Sequence, residues 1–215
     1  MRSSKSLRIR VGKKILYRTQ HYYRGLSGRE VNKSMGVAVE PWQTAEIPGP
    51  KKALSINNPQ IVTSLIKRSK NPIIVVGHKA AEIQLKNGLL IDYIIRISEK
   101  AGIPIASTPS LQSEFIKRGF SRVVGMPLVD IANRLVDPEW MGLEGKGMHD
   151  LAIFVGFTYY VGWLILSGLK HFSPQIKTVS IDMHYQPHAS WSLPNMSLND
   201  WEKNLEALIE GLEVK

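Results

Sequence analysis

Nineteen consecutive uncharged residues, Leu151 to Leu169, separate Asp150 from Lys170 in the stretch HDLAIFVGFTYYVGWLILSGLKHF. A run of that length either crosses a bilayer or contributes more than one element to a packed core. A membrane helix needs about twenty predominantly apolar residues, and this run is interrupted by Gly156, Thr158, Gly162, Ser167 and Gly168. Its character also changes midway. DLAIFVGF has the short, β-branched and aromatic look of a strand covered on both faces, whereas YYVGWLILSGLKHF spaces Val161, Leu164, Ile165 and Leu169 as one helical face. The run predicts a central strand, a turn and a helix packed on it, with no partition into membranes.

The same parse recurs along the chain. NPIIVVGHKA reads as a buried strand ending at Gly77, followed after Gly88 by the helical LLIDYIIRISEKAGI. IPIASTPS feeds LQSEFIKRG, SRVVGMP precedes LVDIANRLVD, and IKTVSIDMH follows the helix of the uncharged run. Strands alternating with helices imply right-handed crossovers and a parallel sheet. The expected fold is therefore α/β: a doubly wound domain with a five- to six-stranded parallel sheet. Asn58 and Pro59 predict the start of a preceding helix over PQIVTSLIKRSK, by side-chain capping and a proline at the first helical position. A C-terminal helix follows SLND, with Trp201, Leu205, Leu208, Ile209 and Leu212 on one side, and ASWSLPN reads as a short edge strand ended by Pro194.

The formal charge of +10 suggests a polyanionic partner, but its distribution matters more than its size. Residues 1–34 carry ten Lys and Arg residues against the single acid Glu30, so the remainder is nearly neutral. Within that arm, KKILYRTQHYYRG interleaves bases with Tyr17, His21, Tyr22 and Tyr23, a pattern suited to stacking on bases while Arg18 and Arg24 meet phosphates. A solvated extension accounts for the same residues, and Met35 is an alternative start that would remove the arm. Residues 1–34 are thus read as a basic, disordered or mis-assigned extension, and 35–215 as a single domain. The apolar segments of the arm are broken by charge too often for a secretory signal, so a cytoplasmic protein is expected. With no cysteine, these residues supply no disulfide and no thiolate ligand for zinc or an iron–sulfur cluster.

Open parallel sheets bind ligands at the carboxyl ends of their strands. The residues at those predicted ends are Gly77, His78, Thr108, Gly156, Phe157 and Asp182. Glycine there allows a phosphate to approach backbone N–H groups, and Asp182 is placed to meet a ribose hydroxyl or to cap a turn. Neither G-x-G-x-x-G nor G-x-x-x-x-G-K-[ST] occurs, and only one glycine follows the first strand of the repeat. His184 and His188 lie in DMHYQPHAS with Asp182, but Pro187 forbids a regular helix, so they read as polar loop histidines rather than metal ligands. No serine elbow or other motif nominates a catalytic residue.

At PWQTAEIPGPKKA, NPIIVVGHKA and especially the long block from LVDPEWMGLEGKGMHD through MSLNDW, the chain resembles the epsilon subunit of the archaeal acetyl-CoA decarbonylase/synthase complex. The similarity runs from about Glu40 to the C-terminus and joins several separated blocks. It implies a three-layer Rossmann-like fold of the DHS-like NAD/FAD-binding kind. It also implies a partner: an alpha subunit carrying nickel–iron–sulfur chemistry, forming with this chain a carbon monoxide dehydrogenase component of alpha2-epsilon2 composition. The role implied is that of an accessory subunit that stabilises the alpha subunit and assists electron transfer to FAD, the one candidate cofactor, for which the six strand-end residues are the candidate site. Trp163 and Tyr159 then belong either to the core or to the alpha-subunit contact. A nucleic-acid-binding protein using the basic arm is the alternative reading.

Overall fold

The computed structural model describes residues 52–213; the basic arm, its aromatic residues, Met35 and the boundary between residues 34 and 35 lie outside them. The order of elements is β1 (Leu54–Ser55), α1 (Gln60–Arg68), β2 (Pro72–Val76), a 3-10 turn (His78–Ala81), β3 (Gln84–Leu85), β4 (Gly88–Leu89), α2 (Leu90–Ala101), β5 (Ile105–Ser107) and α3 (Pro109–Lys117). There follow β6 (Val123–Gly125), α4 (Leu128–Val136), β7 (Leu151–Val155), α5 (Tyr159–Phe172), β8 (Lys177–Ser180), β9 (Trp191–Ser192) and α6 (Leu198–Glu213). Seven strands form one sheet in the order β1-β9-β8-β7-β2-β5-β6, with every pairing parallel. This exceeds the expected five to six strands. The additional member is β1, and β9, expected at the edge, is second from it. A two-residue strand carries too little alternation to be recognised until its neighbour is known.

The uncharged run resolves as β7 in the middle of the sheet and α5 packed beside it. All of β7 is buried, and it pairs with β2 from Pro72↔Leu151 to Val76↔Val155. Alternate residues face opposite layers. Ile74, Val76, Ile153, Val155 and Val179 join a core with α1, α2, α3 and α6, while Ile73, Val75, Ala106, Ala152 and Phe154 join a second core with α4 and α5. Burying each of the Val, Ile and Phe side chains contributes about 1.5–3 kcal/mol, which is why a doubly covered strand reads as a continuous apolar run. The architecture is the three-layer Rossmann-like fold expected.

Local chemistry sets the element ends. Asn58 Oδ1 accepts the Gln60 N–H at 2.9 Å, starting α1 just beyond Pro59. Asp92 Oδ2 accepts the Leu89 N–H at 2.8 Å at the start of α2, and Gly102, with φ 68°, ends it. Ser197 Oγ accepts the Asp200 N–H at 3.2 Å ahead of α6, whose Trp201, Leu205, Leu208, Ile209 and Leu212 are all buried as the spacing predicts. Trp201 donates its indole N–H to Ile181 O at 2.7 Å, and Glu202 Oε1 accepts from Tyr93 Oη at 2.7 Å and Lys86 N–H at 2.9 Å. These bonds tie α6 to the end of β8, to α2 and to the small β3–β4 hairpin. Burial, with Glu202 alongside, pushes the Tyr93 hydroxyl up to about 12.

The helical face assigned to α5 is corrected by the structure. Its buried residues are Gly162, Leu166 and Leu169, whereas Val161 and Leu164 point outward at 44% and 65% exposure. Because the helix is apolar on all sides, periodicity cannot distinguish its inner face from its outer one. Trp163 and Tyr159 are both only partly buried.

Candidate functional site

Strand order reverses between β2 and β7, because the chain proceeds from β2 through β5 to β6 and then returns to β2's other side. The crevice favoured for dinucleotides therefore lies at Gly77 and Gly156, which end these two strands. Here the two strand ends are packed directly on each other. A Cβ added at Gly77 would lie 2.6 Å from Phe157 Cδ1 and nearer still to Gly156 O, while Gly156 itself adopts φ 77° beside Ala80. The requirement for glycine comes from this mutual approach.

The backbone donors of the crevice are engaged by the protein. Gly77 N–H donates to Val155 O at 2.9 Å, Lys79 N–H to Gly156 O at 3.1 Å, and Ala80 N–H to Gly77 O at 3.1 Å. Asp182 Oδ1 accepts the Gly156 N–H at 2.7 Å, and its carboxyl also takes the N–H of Phe157. A carboxyl thus occupies the anion position just ahead of α5. Burial pushes the Asp182 pKa from 3.8 up to about 7, against the opposing pull of the two backbone donors and the Lys79 charge.

The structure brings Gly77, Gly156, Phe157 and Asp182 together, but in contacts with each other. Phe157 is buried against Phe154, their ring centroids 6.1 Å apart. Thr108 stands at the end of neighbouring β5 and donates its N–H to Val76 O at 3.2 Å; its hydroxyl is buried without a partner among the described residues. His78 opens the 3-10 turn and is exposed. The N–H groups of Gly77, Thr108, Gly156 and Phe157 are all committed within the chain, so these four are not free to receive the pyrophosphate of FAD.

Two further features carry no signal in the sequence. His184 is exposed, but His188 is buried, with its ring 4.7 Å edge-on from that of Trp163, so it is not a solvated loop histidine. His149, also buried, is held by two loop backbones: Nδ1–H donates to Asn71 O at 2.9 Å and Nε2 accepts the Leu143 N–H at 3.2 Å. Burial lowers its pKa despite the Asn71 carbonyl, keeping the ring neutral. Nothing in the spacing of either histidine marks it as buried. Among the described residues, no group of three or more His, Asp or Glu side chains is placed to hold a metal ion.

Among the described residues, exposed large apolar side chains gather on α5. Tyr160, Leu164 and Phe172 are 70%, 65% and 74% exposed, with Val161 beside them, and their spacing aligns them along the outer side of the helix. Isolated exposed apolar residues are common, but an aligned series on one helix marks a contact surface. No described helix is long and apolar enough to cross a membrane.

The fold and these surfaces define a Rossmann-like α/β protein in which a carboxyl group of the chain takes two backbone donors at the strand-end crevice and the outer face of one helix is apolar. Residues 36–210 match the family described as CO dehydrogenase beta subunit/acetyl-CoA synthase epsilon subunit, and the chain belongs to that family. It is 36% identical over 169 residues to the acetyl-CoA decarbonylase/synthase complex subunit epsilon of Methanothermobacter thermautotrophicus, covering 78% of this chain and 93% of the relative. Identity to the corresponding subunit of Methanothrix soehngenii is 34% over 176 residues, covering 80% and 91%. Epsilon 1 of Archaeoglobus fulgidus is 38% identical over 154 residues, covering 71% and 80%.

Proposed function

We propose that this chain is a non-catalytic accessory subunit of the carbon monoxide dehydrogenase component of an acetyl-CoA decarbonylase/synthase complex in the cytoplasm. In this reading it stabilises a nickel–iron–sulfur alpha subunit, in an alpha2-epsilon2 assembly, by docking the outer face of α5. The observation that carries the proposal is the aligned exposure of Tyr160, Leu164 and Phe172 on a helix whose opposite side already packs on the sheet. A helix that is apolar on both sides serves two interfaces, one internal and one external. The absence of cysteine leaves cluster ligation to the partner. Electron transfer through a flavin held at the strand ends is not included, because the donors it would need are already bonded.

The test is anaerobic purification of the C-terminally tagged chain from its native host, with co-eluting proteins, nickel, iron and CO-dependent dye reduction measured. A large partner with those metals is the expected result. Leu164→Asp is expected to release the partner without unfolding the chain, and deletion of residues 1–34 to leave the association intact. Recovery of a metal-free chain bound to nucleic acid in a salt-sensitive manner, lost on that deletion, would instead support the basic arm as the functional element.

A further inference from the structure

At the opposite end of the sheet from the strand-end crevice, a cavity of about 610 Å³ opens on the α5 side. It lies where β8, β9 and β1 begin, and the last turn of α5 and the following loop form its wall. Its volume falls in the range of small-molecule pockets. The cavity is separate from the face proposed for docking and from every residue expected at the strand ends.

Two observations give it a chemistry. The first is His188, which lines the cavity at 3% exposure and, among the described residues, has no hydrogen-bond partner for either ring nitrogen. The indole Nε1 of Trp163, whose ring meets that of His188, is likewise buried without a partner. Buried polar atoms left unpaired are costly, so a site containing them favours an occupant that can bond them. By contrast, Thr178 and Ser190 satisfy each other: the Ser190 N–H donates to Thr178 Oγ1 at 3.0 Å and the Thr178 N–H to Ser190 Oγ at 3.2 Å.

The second observation is charge. Lys52 and Lys170 line the cavity, and among the described residues no carboxylate lines it, while Leu54, Ile176 and Trp191 supply apolar surface. We propose that this cavity binds a small organic anion, a carboxylate or phosphate monoester on an apolar body, with the lysines meeting the charge and His188 supplying a hydrogen bond.

The titratable groups beside His188 are Lys170 and His171 of α5, and Lys52 ahead of β1 also lines the cavity. Burial, then Lys170 and His171, hold its pKa down at about 4, so the free ring is neutral near pH 7 and donates from one nitrogen. An arriving anion raises that pKa, linking binding to proton uptake.

The test is a titration of the full isotope-labelled chain with phenyl phosphate, following the His188 imidazole and Trp163 indole signals by NMR. Saturable shifts of both are expected, with the His188 pKa rising and the Trp201 indole, bonded to Ile181 O, unmoved. The double variant Lys52→Gln, Lys170→Gln is expected to bind about tenfold more weakly or worse. Its unchanged melting temperature would show that the loss is not unfolding. No saturable shift, an undiminished affinity in that folded variant, or binding of benzyl alcohol or inorganic phosphate as tight as that of phenyl phosphate would overturn the assignment.

Discussion

Replacing Asp182 by asparagine isolates the electrostatics of the closed crevice. In the folded chain burial raises the Asp182 carboxyl from 3.8 to about 7, so the native state prefers its protonated form. At about 1.4 kcal/mol per pH unit the shift amounts to about 4 kcal/mol, and to about 2–4 kcal/mol when partial exposure of the residue is allowed for. The sign follows from proton linkage. Between the two pKa values the folded state binds more protons than the unfolded one, so this contribution is fully present below about pH 4, declines as pH rises, and is gone above about pH 7. The asparagine side chain is neutral throughout, and any hydrogen bond it fails to make produces an offset independent of pH. Urea unfolding of both proteins, followed by tryptophan fluorescence from about pH 4 to pH 8, cancels the titration of other groups when the two stabilities are subtracted. The wild type should lose about 2–4 kcal/mol relative to Asp182→Asn across that range. A difference that is flat, or that favours the wild type as pH rises, would mean that the Gly156 and Phe157 N–H groups outweigh burial and the carboxylate is ionised in the fold.

Gly77→Ala forces a methyl group against Gly156 O and Phe157, and should cost about 3 kcal/mol, read as a fall in denaturation midpoint at unchanged slope. Leu164→Asp, at a position 65% exposed, should change the stability of the isolated chain by no more than about 0.5 kcal/mol while abolishing co-elution of the partner subunit. Because burial lowers the His149 pKa below 6.5, its contribution is present above pH 6.5 and lost as pH falls through the folded value. His149→Leu should lower stability at neutral pH by about 1–3 kcal/mol, by orphaning the Leu143 N–H, and should remove that acid-side decline from denaturation curves.

The parts of this fold legible in the sequence are those whose information is local. β2, β5, β6 and β7 announce themselves as short apolar runs ending at glycine or small polar residues, β8 as the β-branched segment that follows the helix of the uncharged run, and α6 by a buried stripe that the structure reproduces at all five named positions. What escapes depends on distant partners. Leu54 and Ser55 become a strand only because Trp191 and Ser192 lie beside them, and β9 is internal only because β1 covers its far side. The inner face of α5 is hidden for a related reason: Val161 and Leu164 are as apolar as the buried Leu166 and Leu169. At the strand ends, the sequence locates the junction of Gly77 with Gly156 and places Asp182 nearby, but it does not reveal that the carboxyl points inward to take the donors a ligand would need. The cavity around His188 is illegible because it is assembled from the starts of three strands and the end of one helix.

The placement of β7 beside β2 has a consequence for how the protein is made. On a ribosome adding about 5–20 residues per second, the roughly 80 residues separating their paired positions take about 4–16 s to synthesise. Throughout that interval β2 can pair with β5 on one side but presents its other edge unpaired, because Pro72 to Val76 await Leu151 to Val155. β1 waits longer still, until Trp191 and Ser192 have emerged. The sheet is therefore complete only once Trp191 and Ser192 have emerged, and until Leu151 to Val155 arrive the apolar edge of β2 is a segment on which a holdase or a misdirected strand can act.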